Sequence, residues 1–164
     1  MKAFVTVGVE RMPFVRLLRA VDHAVRDGLL SATTMIQRGH TPYIPQYCLN
    51  ERFFSFDEMV DRVLNADLII CHAGVGSVLL CRDLGRIPLV MPRLNRMGEH
   101  VDDHQQEFAR VMEAEGHLLT VHDTNDLHMR LGEQPSRLLE KTGRRHANPL
   151  LSKELKKIID TVTK

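Results

Sequence analysis

Asp67-Leu68-Ile69-Ile70-Cys71-His72-Ala73-Gly74-Val75-Gly76-Ser77 is the stretch on which the architecture turns. Leu68 to Cys71 is short and wholly apolar, the signature of a strand buried on both faces, and such strands belong to parallel sheets. The glycines that follow open a helix predicted to run from Gly74 to Gly85. Glycines at that point let the backbone approach a ligand closely, and a helix N-terminus offers free N–H donors and a partial positive charge. A phosphate or diphosphate is the natural occupant, with the Ser77 hydroxyl as a further donor. A tight strand–helix turn without a ligand has the same look. Its place at the carboxyl end of a parallel strand, where open α/β sheets bind their ligands, raises it above that.

Outward from this point the sequence alternates between strand and helix. Ala3 to Val9 reads as a buried strand. After Pro13 the period changes, and Phe14, Leu17, Leu18, Val21 and Val25 share one helical face that Gly28 terminates. Ala32 to Gln37 is a second strand, closed by Gly39. Residues 40–54 carry Pro42 and Pro45 and read as a loop, with a short strand near Tyr47. Ser55 and Glu58 make a capping box in front of Met59, Val60, Val63 and Leu64. Pro88 to Met91 is a strand, Asp103 to Glu115 a helix, and Leu118 to Val121 the last strand, followed by Asp123 and Thr124 as caps. Gly132 to Pro149 reads as an exposed crossing, and Ser152 to Val162 as a final amphipathic helix. The predicted class is therefore α/β, one parallel sheet flanked by helices joined through right-handed crossovers.

Composition agrees with one globular unit. The 164 residues are 43% hydrophobic and 26% charged, which excludes a disordered or low-complexity chain. A formal net charge of +1 gives no field for nucleic acid. The charge is uneven, because nine Lys/Arg face four Asp/Glu from Arg130 onward while the preceding body is mildly acidic. Residues 1–131 are thus read as the ligand-binding domain. Residues 132–164 are read as a basic extension packed on that domain or on a partner. Three scattered cysteines, Cys48, Cys71 and Cys81, argue against a disulfide framework and for a reducing compartment. No apolar run is long enough for a membrane span, so a cytoplasmic location is expected.

A second polar cluster, Glu99-His100-Val101-Asp102-Asp103-His104-Gln105-Gln106, opens the helix after the Pro88 strand. Asp103 and Gln105 offer hydrogen bonds suited to sugar hydroxyls. His100 and His104 stand at i, i+4, a spacing that also suits a metal, but no third ligand is evident. A solvated helix start accounts for the same residues. Gly8-Val9-Glu10-Arg11 and Gln37-Arg38-Gly39-His40 follow the first two strands and would reach over the same crevice.

These motifs, together with Phe4-Val5-Thr6-Val7-Gly8, Gly85-Arg86-Ile87-Pro88 and Pro92-Arg93, make residues 3 to 120 similar to the C-terminal domain of glycosyltransferase family 28. The chain most resembles its small free-standing members, the PssE type of exopolysaccharide assembly and the soluble subunit of the N-glycan UDP-GlcNAc transferase. The resemblance implies a Rossmann-like sheet, the donor half of a GT-B hexosyltransferase split over two chains. A membrane-anchored partner chain would bind the lipid-linked acceptor and hold this chain at the inner face of the membrane. In that family Gly8, Gly74, Gly76 and Ser77 match the diphosphate-binding positions, and Asp103, His104 and Gln105 the donor-sugar contacts. Phe56 matches the region that reads the base. The resemblance implies no metal and no cofactor, with a nucleotide-sugar, most often UDP-linked in the family, as the donor substrate. It places the catalytic base in the partner; His72 or His104 are the groups that could assist if the base is not there.

One position departs from the family. A Glu that bonds the ribose hydroxyls is replaced here by Leu80, which cannot accept a hydrogen bond. A catalytically degenerate module that keeps the fold and regulates or scaffolds a transferase is the alternative this raises. A dinucleotide-binding protein is disfavoured, because no G-x-G-x-x-G follows the first strand.

Overall fold

A computed structural model describes residues 1–133 and 135–142. The strands are β1 (Ala3–Thr6), β2 (Met35–Gln37), β3 (Leu49–Glu51), β4 (Leu68–Cys71), β5 (Leu89–Val90) and β6 (Leu119–Thr120). The helices are α1 (Val15–Arg26), α2 (Phe56–Asn65), α3 (Val75–Asp83), α4 (His104–Ala114), α5 (Thr124–Gly132) and α6 (Pro135–Thr142), with a 3-10 turn at Asn95–Met97. The strands form one sheet in the order β3-β2-β1-β4-β5-β6, every pair parallel. Val5 stands opposite Ile36 on one side and Ile70 on the other, and Ile70 opposite Leu89.

Alternation along each strand sends successive side chains to opposite faces. Ala3, Val5, Ile36, Leu68, Ile70 and Leu89 pack with α1, α5 and α6. Phe4 and Ile69 pack with α2 and α3, while Cys71 and Val90 pack with α3 and α4. Each face therefore carries its own helices, as the apolar runs of β1 and β4 require. The chain winds outward from β1 to β3, then returns to β4 beside β1 and winds the other way. The sheet therefore reverses direction between β1 and β4, and in open α/β sheets ligands bind beyond the carboxyl ends of the strands at such a point.

The expected elements are present with shorter strands. β1 stops at Thr6, because the chain turns at Gly8 with φ of 70°. The strand near Tyr47 lies at Leu49–Glu51 on the sheet edge, where Leu49 and Glu51 are exposed. The capping box on α2 is complete: Ser55 Oγ accepts the Glu58 N–H at 3.3 Å, and Glu58 Oε2 accepts the Ser55 N–H at 2.8 Å. One expectation is corrected. The stretch from Gly132 is not simply an exposed crossing, since Pro135 opens α6 and Leu138 is buried against the α1 face of the core. Pro at a first helical position loses no bond, which is why it starts a helix here. The amphipathic helix expected at Ser152–Val162 lies outside the described residues. Among the described residues no helix is long and apolar enough to cross a membrane.

Candidate functional site

Three loops meet at the reversal point, and glycine permits each approach. A side chain on Gly74 would put its Cβ 2.0 Å from His72 Nε2. One on Gly8 would lie 2.6 Å from His72 Cε1, and one on Gly39 would lie 2.6 Å from the Gly8 carbonyl oxygen. The loops after β2, β1 and β4 therefore interlock as Gly39 on Gly8, Gly8 on His72, and His72 on Gly74. Below them the Thr6 hydroxyl donates to Gln37 Oε1 and accepts the Gly8 N–H at 3.2 Å.

Gly74 is also the N-cap of α3, and no side chain caps that helix. The first-turn N–H groups of a helix have no intrahelical partner, so those of Val75, Gly76 and Ser77 are without a side-chain cap. Gly76 has open space around it and is exposed, and Ser77 is half-buried beside it. His72 is 6% exposed, and its Nδ1 is buried without a hydrogen-bond partner. Burial, with the Arg93 charge adding to it, pushes the imidazole down to about 3, so the ring is neutral near pH 7.

The polar cluster after β5 lies on the neighbouring loop. Asp103 is the N-cap residue of α4, but its Oδ1 accepts the Asn95 N–H at 3.1 Å and the Gln106 amide at 2.8 Å. Gln105 is 9% exposed, and its Oε1 accepts the Arg93 N–H at 3.2 Å. The His104 side chain is 83% exposed, with Nδ1 3.0 Å from Asp102 Oδ2. His100 Nδ1 is 3.0 Å from Asp102 Oδ1. The i, i+4 imidazoles thus flank one carboxylate. Bonds from the His104 N–H and from His100 hold Asp102 below the usual carboxylate range. Among the described residues no group of three or more His, Cys, Asp or Glu is placed to hold a metal ion.

Phe56 begins α2 and packs, half-buried, against the cluster of Phe4, Ile69 and Leu80. Leu80 is 3% exposed there. The position at which the resemblance implies a ribose-binding Glu is therefore part of an apolar core. Sequence reading also passed over a buried polar frame. Arg93 has no exposed surface, and its guanidinium bonds the carbonyls of Val7, Met12 and Glu99. Arg16 makes a two-point pair with the Glu99 carboxylate at 2.9 and 2.8 Å. An Arg inside the apolar run from Ile87 to Leu94 was the available signal.

Comparison with known proteins follows this geometry. The profile described as the Glycosyltransferase family 28 C-terminal domain matches residues 3–162. The chain belongs to that family. It is 32% identical over 83 residues to UDP-N-acetylglucosamine--N-acetylmuramyl-(pentapeptide) pyrophosphoryl-undecaprenol N-acetylglucosamine transferase of Idiomarina loihiensis, covering 51% of this chain and 22% of that protein. It is 35% identical over 71 residues to UDP-N-acetylglucosamine transferase subunit ALG13 of Yarrowia lipolytica, covering 43% of this chain and 34% of that one. The matches thus span about a fifth to a third of these relatives. In structure, 99% of the chain aligns with 43% of the glycotransferase of kitacinnamycin at a TM-score of 0.58 and 15% identity. The single parallel sheet flanked by helices is the fold expected of a family 28 C-terminal domain.

Proposed function

We propose that this family 28 domain is the donor-binding catalytic subunit of a two-chain UDP-sugar glycosyltransferase, a hexosyltransferase acting on a lipid-linked acceptor in exopolysaccharide or glycan assembly. The observation that carries the reading is the glycine interlock around His72 beneath the uncapped start of α3. It brings the uncapped N–H groups at the start of α3 to the place where the sheet reverses, an arrangement suited to a diphosphate. Two relatives that are named UDP-N-acetylglucosamine transferases support the donor class, and one of them is named a subunit.

In the transfer, the acceptor hydroxyl oxygen bonds to the anomeric carbon and the bond from that carbon to the diphosphate oxygen breaks. The electron pair leaves on the nucleoside diphosphate. The N–H groups of Gly76 and Ser77 and the α3 dipole stabilise the charge gathering there. Neutral His72 contributes a hydrogen bond rather than a charge. Asp103, His104 and Gln105 orient the donor sugar, with Gln105 offering its amide N–H because its oxygen already accepts from Arg93. Phe56 borders the base. The hydroxyl proton goes to a base in the membrane-anchored, acceptor-binding partner, which keeps the complex at the inner face of the membrane. The donor is a substrate, and no metal or further cofactor enters the scheme.

Isothermal titration of the full-length chain with UDP and UDP-N-acetylglucosamine tests the donor half of this reading, and absence of binding refutes it. Sugar transfer by this chain alone would refute the split arrangement. The second reading, a degenerate scaffold that keeps the fold, is favoured by one observation, the burial of Leu80 among apolar side chains. It predicts folded protein with no UDP binding and stable association with a transferase.

A further inference from the structure

Arg93 follows β5 between Pro92 and Leu94 and is 0% exposed. Its Nη1 donates to the carbonyls of Met12 at 2.7 Å and Glu99 at 3.0 Å, and its Nη2 to the carbonyl of Val7 at 2.9 Å. Its main-chain N–H donates to Gln105 Oε1 at 3.2 Å. One residue therefore joins the loop after β1, one peptide before Gly8, to the Gln105 side chain in the first turn of α4. The two loops belong to the diphosphate and donor-sugar regions respectively.

Among the described residues no hydrogen bond of the guanidinium goes to a carboxylate, although the charges of Glu10 and Glu99 act on it from nearby. Glu99 is committed to Arg16 and to the Leu94 N–H at 3.0 Å. Glu10 accepts the N–H groups of Arg11 and Met12 and stands 4.0 Å from His100 Nε2. Arg93 Nε is buried without a partner, and the Phe14 ring lies 4.8 Å from the guanidinium carbon. A buried cation without a bonded anion is costly to the fold alone, and a charge in a poorly polarisable interior acts over a longer range than one in water.

We propose that Arg93 is a positioning residue for the nucleoside diphosphate. It fixes the β1 loop and Gln105 relative to one another, and its positive charge is met by the bound diphosphate. This rests on the donor-binding reading above. The three-carbonyl bridge needs the planar fork of Arg, while the electrostatic part needs only a positive charge in that place. Loss of the charge weakens anion binding while leaving recognition of the neutral nucleoside nearly intact.

The test is titration of the full-length chain with UDP and with uridine, the latter followed by NMR. Arg93→Met is expected to lose UDP affinity roughly 10- to 100-fold, with uridine affinity changed less than about threefold. Arg93→Lys should recover a large part of the loss. Equal losses for UDP and uridine would show a purely structural residue, and UDP affinity within about twofold of wild type would show no role. Either overturns the proposal and leaves the donor-binding reading standing. If Arg93→Met does not fold by circular dichroism, the wild type decides. The Arg93 Nε–H resonance should move on adding UDP or inorganic pyrophosphate and stay in place with uridine, and a resonance indifferent to both anions overturns the proposal. A wild type that binds no UDP overturns both the reading and the proposal.

Discussion

Asp22 on α1 and Arg93 after β5 are both buried charges without an opposite charge bonded to them, and the fold treats them differently. Asp22 accepts the Tyr43 hydroxyl at 2.7 Å, the N–H groups of Gln46 and Tyr47 at 3.0 and 2.8 Å, and the Cys48 thiol at 3.5 Å. Burial alone would raise its carboxyl, but these donors bring it below the usual carboxylate value. Their own protons are held more tightly. Burial together with Asp22 moves the Tyr43 hydroxyl and the Cys48 thiol each to about 12. Every lone pair of Asp22 that matters is met from within the chain, so its work is to fasten residues 43–48 onto α1. Arg93 instead keeps an unpartnered buried Nε and bonds only carbonyls. A charge met by bonded donors fastens structure, whereas Arg93, which the Glu10 and Glu99 charges act on without bonding its guanidinium, is the charge proposed above to meet a ligand.

The comparison can be broken in several ways. Asp22→Ala leaves buried donors unmet and should cost roughly 4 kcal/mol in urea unfolding, with UDP affinity within about twofold of wild type. A large affinity loss with little change in stability would reverse the two roles. His72 lies on the ligand side and gives a pH signature. Its folded-state value of about 3 lies below the ordinary value near 6.5. The unfolded chain therefore binds the extra proton first as pH falls. The stabilisation is complete above about pH 6.5, declines through the acid range and is gone below about pH 3. At pH 4 the loss should be roughly 3 kcal/mol relative to pH 7, and His72→Asn should flatten that part of the stability profile.

Two smaller effects sharpen the boundary between the regions. Leu80→Glu places a carboxylate in the apolar cluster of Phe4 and Ile69 and should lower stability by roughly 2 kcal/mol. A sharp gain in UDP affinity in the same variant would favour the degenerate-scaffold reading. Glu10 stands two residues beyond Gly8 and adds negative charge near the diphosphate seat. Glu10→Gln should therefore raise UDP affinity by about twofold at low salt, an effect that shrinks as salt is added. Unchanged affinity would place Glu10 outside the field of the site.

Legibility in the sequence followed how locally each feature is encoded. The four apolar residues of β4 and the Ser55–Glu58 capping box act through near neighbours, and both were readable at their positions. So were Gly8 and Gly74, because a turn after a strand is local information. β3 was located only loosely, since an edge strand with two exposed residues carries no apolar alternation. The start of α6 was hidden by Gly132 and Pro135, which read as breakers although Pro135 initiates the helix. Arg93 was signalled only by its place inside the apolar run from Ile87 to Leu94, and its role in the frame was not readable. Its partners Val7, Met12 and Glu99 are carbonyls up to 86 positions away, and an isolated Arg reads as solvated. Leu80 was recognised as a departure, but only packing shows it to be buried in the core.

On the proposed function, a nucleoside diphosphate sits on the glycine turn at the start of α3. Isothermal titration of UDP into the full-length wild type and into Gly74→Ala tests it most directly, because the added Cβ would lie 2.0 Å from His72 Nε2. One UDP should bind per wild-type chain, and the folded variant should lose affinity roughly 30-fold or more. No binding by the wild type, or equal affinity in the two proteins, would contradict it.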